Sequence, residues 1–344
     1  MKINKTNLQN ACSKINLDNE TSDKLWSELE KDNSPKFDLE NVAYYFGALI
    51  IMSAMGWFMT EAWDGIGGLG ISILGLMYLL LFILLAQYLW YNKQLRVPGG
   101  LFFTLGIWMI PLIVFGIEKY TGLWPQDSQG SFQDYHVWVR GSWVIMELAT
   151  IIGGIITLKY VRFPFLTFPI AFSLWYLSMD ITSIIYGVKE YSWEQIQLVS
   201  VYFGLTMLIV SYFIDRKTKE DFAFWIYLFG IMAFWGGLSS MNSDSELNKL
   251  LYCAINLFLI LISVIIQRRV FIVFGSIGVF GYLGHLAFRI FNDSLLFPVA
   301  LSLLGMAIIY LGIIYNRNKL IIEETLRNIL PDFLLKLNPN NNNR

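Results

Sequence analysis

Residues 66–90 read IGGLGISILGLMYLLLFILLAQYLW, and YNKQLR follows at once at 91–96. The run passes without a single Asp, Glu, Lys, Arg or His. Wound as an α-helix, it reaches about 37 Å, more than the roughly 30 Å hydrocarbon core of a bilayer. Lys93 and Arg96 then stop it at a boundary. A helix that is apolar on every face over this length is adapted to lipid as its surroundings.

Working outward from this run, nine further stretches have the same character. They lie near 41–60, 98–117, 137–158, 164–186, 195–214, 222–241, 247–267, 270–290 and 294–315. The chain therefore reads as an all-α, polytopic membrane protein with about ten transmembrane helices joined mostly by short turns. Composition agrees: 56% of the 344 residues are hydrophobic and only 15% charged, against about 25% charged in an ordinary soluble protein. The net charge of −1 gives no basis for a nucleic-acid partner. The bilayer itself is the first partner implied.

The distribution of Lys and Arg sets the orientation. With the N-terminus inside, 20 of the 25 basic residues fall in inside segments, and only Lys119, Lys189 and Lys249 fall in outside loops. Arg140 and Arg289 lie within helices. The alternation holds from loop to loop, placing both termini in the cytoplasm. Residues 1–40 read as a cytoplasmic helical hairpin, 41–315 as the membrane domain, and 316–344 as an amphipathic interfacial helix with a disordered tail. Residues 1–40 and 316–337 are the segments that offer a surface to a cytoplasmic protein partner. No cleavable signal precedes the first apolar helix, and Cys12 and Cys253 read as free thiols.

A short hairpin, a first membrane helix, the turn Glu61-Ala62-Trp63-Asp64 and a Gly-rich second helix follow in that order. Over about residues 5–120 this resembles the bacterial membrane proteins grouped as domain of unknown function 2157. The chain departs from that pattern at Ala62, where an asparagine is usual. The resemblance implies a bacterial inner-membrane address and no defined chemistry.

Ionisable groups inside the hydrocarbon are the candidate site residues, because each costs about 2.5–3.5 kcal/mol to insert. Glu147 lies about ten residues from either end of the fourth stretch, near its midplane. Arg140 precedes it by two turns on nearly the same face, and Asp180 of the fifth stretch lies at a depth Arg140 can reach, so an Arg140–Asp180 bridge is expected. His285 and Arg289 stand one turn apart near the outer end of the ninth stretch. Together with an excess of outer-loop acids, Glu118 and Glu246 among them, these suggest a polar cavity open to the outside. In that reading Glu147 lines the cavity between the fourth, fifth and ninth helices. The glycine track Gly275, Gly278, Gly281 and Gly284 permits a close helix neighbour. Pro111 and Pro169 are expected to break helices within spans.

Motifs for nucleophilic catalysis, phosphate loops and dinucleotide binding are absent, and two histidines do not build a three-histidine metal centre. No cofactor and no metal are implied. Three readings remain open. One is a secondary transporter or small-solute permease, with Glu147 binding a solute or ion. Ten helices with both ends inside is the topology of the drug/metabolite transporter superfamily, although 41–186 and 195–315 show no convincing similarity. The second reading is a non-catalytic membrane sensor, assembly or scaffold protein. The third is a membrane-embedded enzyme acting on a lipid-linked substrate, for which the chain offers no catalytic motif.

Overall fold

The computed structural model describes residues 39–124, 143–186, 192–218, 220–241, 243, 245–290 and 296–317, with the single positions 8, 12, 21, 24 and 25. The expected hairpin and interfacial tail thus lie almost wholly outside the described residues. Leu8, Cys12, Thr21, Lys24 and Leu25 are helical, and Cys12 is buried.

The described residues are all-helical, with no strand among them. We number the α-helices α1 (Leu39–Gly65), α2 (Gly67–Gln87), α3 (Arg96–Thr121), α4 (Trp143–Tyr160) and α5 (Thr167–Tyr186). They continue as α6 (Trp193–Lys217), α7 (Phe224–Ser240), α8 (Glu246–Ile266), α9 (Arg269–His285) and α10 (Leu296–Arg317). Each overlaps one of the apolar stretches. Single π-turns extend α2 over Tyr88–Asn92 and α9 over Leu286–Ile290, and a 3₁₀ turn, Pro164–Leu166, leads into α5. The chain forms two compact units, Met1–Ser53 and Ala54–Arg344. In the first, α1 exposes Phe46, Leu49 and Ile50 while Ala48 is buried.

Among the described residues, six helices are long and apolar enough to cross a membrane: α2 with its π-turn, α3, α4, α5 with its lead, α6 and α8. By contrast α7 and α9, at 17 residues each, rise only about 26 Å.

In the second unit the apolar core also holds polar side chains, and the outer face carries large apolar ones. Ser72, Thr104, Thr150, Gln197, Ser211 and Asn256 are buried, while Leu80, Leu84, Ile156, Phe213, Phe258 and Leu261 are exposed. Water would reverse that arrangement; lipid favours it, because the internal polar groups find partners and the outer face meets acyl chains.

Small residues set the close helix pairs. At Gly68 and Gly116 the α2 and α3 backbones approach so closely that a Cβ would meet main-chain atoms, and Ser72 Oγ donates across the gap to Ile113 O at 3.0 Å. A Cβ on Gly204 or Gly237 would likewise strike the backbone across the α6–α7 interface. Helix α5 packs against α4, α6 and α7. Pro169 corrects one expectation: it is the third residue of α5, not an interior break. In the first turn its missing N–H removes no helical hydrogen bond. Pro111 does lie inside α3. Gly122, with φ 74°, closes α3 in the left-handed conformation that glycine adopts without a Cβ clash.

Candidate functional site

Glu147 lies one turn after Trp143 on α4, and Asp180 one turn after Tyr176 on α5. Residues four apart share a helix face, so each helix pairs an aromatic ring with an acid. The rings of Trp143 and Tyr176 stack, with centroids 6.0 Å apart and planes 6° from parallel. Glu147 is within electrostatic range of both Asp180 and Tyr176.

Both acids are removed from solvent: Glu147 is 5% and Asp180 2% exposed. Neither carboxyl oxygen of Glu147 has a hydrogen-bond partner among the described residues. Around Asp180, α5 is enclosed on several faces. Ser178 and Thr182 are fully buried; Ser178 Oγ donates to Trp175 O at 2.5 Å, whereas Thr182 Oγ1 has no partner among the described residues. Toward the start of α5 an aromatic cluster joins the helices, with Trp108 of α3 5.1 Å from Phe172 and Trp225 of α7 4.6 Å from Phe168. Trp108 and Trp225 thus pack between helices.

Two carboxyl groups in one dry interface cannot both hold a negative charge without a compensating cation or proton. The pair is therefore chemically suited to taking up and releasing a proton or a small cation. No group of three metal-ligating side chains occurs among the described residues.

The midplane depth expected of Glu147 rests on a helix that starts near residue 137, and residues 125–142 lie outside the described residues. Arg140 lies outside the described residues, and the Arg140–Asp180 bridge with it.

His285 and Arg289 belong elsewhere. His285 Nε2 lies 3.1 Å from a carboxylate oxygen of Glu246, which also accepts from Lys249 Nζ at 2.8 Å. Glu246, read from sequence as a loop acid, opens α8 and ties it to the end of α9. Arg289 is exposed in the π-turn. Because α9 packs on α8 and α7, His285 does not complete a cavity with Glu147. It borders a separate cleft of about 690 Å³ with Tyr252, Gly281 and Asn248. Two further clefts, of about 850 and 450 Å³, include neither Glu147 nor Asp180 in their walls.

Three polar features escaped sequence reading. Glu118, assigned to a wet loop, is 3% exposed in the last full turn of α3. Asp215, near the end of α6, is buried and receives a two-pronged bond from Arg268: Nε to Oδ2 at 2.9 Å, and Nη2 to Oδ1. Arg268 Nη1 also pairs with Asp221 at 2.8 Å, and its guanidinium lies over the Tyr227 ring. Asn256 of α8 is fully buried, accepting from Trp235 Nε1 at 3.0 Å and donating to Tyr252 O at 2.8 Å. An aspartate next to Arg216 and Lys217 looks like an ordinary helix-end charge, and its partner is 53 residues away. The only signal for Asn256 was an amide within the apolar part of α8.

No protein-family model, curated protein or solved structure matches this chain. The site must be read from its own chemistry.

Proposed function

We propose that the chain is an ion-coupled secondary transporter or small-solute permease whose proton- or cation-carrying centre is the Glu147–Asp180 pair. One observation carries this reading. Glu147 is buried beside a second acid, yet neither of its oxygens is hydrogen-bonded among the described residues. An acid kept only to join helices is held by donors, because a buried unsatisfied carboxyl costs stability. An acid that must exchange a proton or ion is instead left without permanent donors, so that the proton or ion can take their place. In this account the protein is a bacterial inner-membrane protein related to domain of unknown function 2157, as the Glu61-Ala62-Trp63-Asp64 segment suggests, although the structure makes that segment the last turn of α1 rather than a turn between helices. It crosses the bilayer ten times with both ends cytoplasmic. The ten α-helices that overlap the ten apolar stretches, and the loop-by-loop alternation of Lys and Arg, support that topology.

The tight glycine-mediated packing of α2 on α3 and of α6 on α7 favours the second reading, a rigid sensor or scaffold. Carbodiimide labelling separates the two. Dicyclohexylcarbodiimide enters bilayers and modifies protonated carboxyls there. On the intact protein in liposomes, the transporter account expects a Glu147 adduct in the mass spectrum that forms more slowly as pH or Na⁺ rises. A Glu147 that stays unmodified, or reacts at a rate indifferent to both, supports the scaffold.

A further inference from the structure

A cleft of about 850 Å³ lies among α4, α5, α6 and α7, within the roughly 300–1,000 Å³ of typical ligand pockets. Its walls are aliphatic: Ile151 and Ile155 from α4, Ile170 and Leu174 from α5, Val210 and Ile214 from α6. Its mouth is charged. Arg162, in the α4–α5 turn, and Lys217, the last residue of α6, both border it and are exposed. Neither forms an ion pair with a described residue. Glu220, also exposed, borders the same mouth. The neighbouring Arg268 shows what this chain does with a structural cation, since it is held by two aspartates. Among the described residues, Arg162 and Lys217 are held by none.

We infer that this cleft is a binding site for an anionic phospholipid, with acyl chains between α4 and α6 and the phosphate at Arg162 and Lys217. An aliphatic slot between membrane helices opens to the lipid, and both cations stand at ends of spanning segments, where headgroups lie. Basic pockets between membrane helices select phosphorylated headgroups in this way. A zwitterionic lipid would leave the cations half-compensated, and a free phosphate would leave the slot unfilled. The inference is independent of transport by Glu147 and Asp180.

Each cation near a headgroup is worth about a fivefold preference for an anionic lipid at low salt, and Glu220 takes part of that back. The full chain in detergent, titrated with phosphatidylglycerol or phosphatidylcholine and followed by native mass spectrometry, should retain phosphatidylglycerol at least about fivefold more tightly. Arg162→Ala with Lys217→Ala should reduce that preference to less than about twofold. Glu220→Gln should raise it several-fold, and inorganic phosphate should not compete. Should the double variant fail to fold, Glu220→Gln and a photoreactive phosphatidylglycerol on the wild-type chain still decide. Adducts are expected on peptides spanning 151–158 or 210–214. Equal retention of the two lipids, an unmoved preference in Glu220→Gln, competition by phosphate alone, or adducts confined to other helices would overturn the assignment.

Discussion

Gly278 and Gly281 belong to one glycine track on α9, and replacing each by alanine should have opposite consequences. At Gly278 a new Cβ would land on the side-chain amide of Asn256. That amide has no free direction to move: it is fully buried, with Trp235 Nε1 bonded to its oxygen at 3.0 Å and its nitrogen bonded to Tyr252 O at 2.8 Å. Overpacking a filled core costs about 1–3 kcal/mol, and leaving a buried polar group without its partner costs about 1–3 kcal/mol more. Alanine returns about 0.8–1 kcal/mol through helix propensity. Gly278→Ala should therefore destabilise the fold by about 1–5 kcal/mol. At Gly281 nothing lies within 4 Å of the added atom, so only the propensity gain remains and the change should be neutral or slightly stabilising. Asn256→Ala combined with Gly278→Ala should cost less than the sum of the single changes, because the clash disappears and only the Trp235 donor is stranded. SDS-induced unfolding from mild detergent, followed by tryptophan fluorescence, measures all four proteins. If Gly278→Ala proves as mild as Gly281→Ala, the α8–α9 interface is not closed on Asn256, and the packing described for this half of the bundle is wrong.

Reporter fusions after Lys93, Lys159, Lys217 and Arg268 should read cytoplasmic and those near Ser128, Lys189 and Ser243 external; two successive sites on one side would remove the ten-span topology. Arg140→Ala and Asp180→Ala should each lower folded yield, with the double change recovering part of it, because a lone buried charge is worse than none; full additivity would mean the two do not interact. Asp215→Ala should destabilise by about 3 kcal/mol, since Arg268 keeps only the half-exposed Asp221. A loss below about 1 kcal/mol in the same SDS titration would show that Asp221 suffices.

The helices were legible because each needs a long apolar run, and a run such as 66–90 admits no other reading. Pairings were not, because they depend on partners far apart in the chain. The glycine track on α9 looked uniform from Gly275 to Gly284, yet the first two glycines pack on α8 while Gly281 and Gly284 meet no neighbour among the described residues. Which glycine meets Asn256 follows from helix crossing, a property that no local spacing encodes. Within the candidate site, Glu147 and Asp180 stood out because acids are costly in lipid, but the sequence pattern paired Asp180 with Arg140 and not with Glu147. His285 was assigned to the same place from its depth alone, and depth does not say which helix is adjacent. Its partner Glu246 seemed an ordinary loop acid because one helix turn separates a wet loop from a helix start.

The most direct test of the ion-centre account is infrared difference spectroscopy on the protein in liposomes, recorded while pH is stepped or Na⁺ is added. Protonated carboxyls absorb apart from ionised ones, so proton or cation exchange at Glu147 leaves a paired loss and gain. The account predicts a carboxyl difference band in the wild type that Glu147→Gln abolishes and Asp180→Asn shifts, with helix content unchanged. Spectra in which neither pH nor Na⁺ moves any carboxyl band sensitive to these two substitutions would contradict it and leave Glu147 a sealed structural acid.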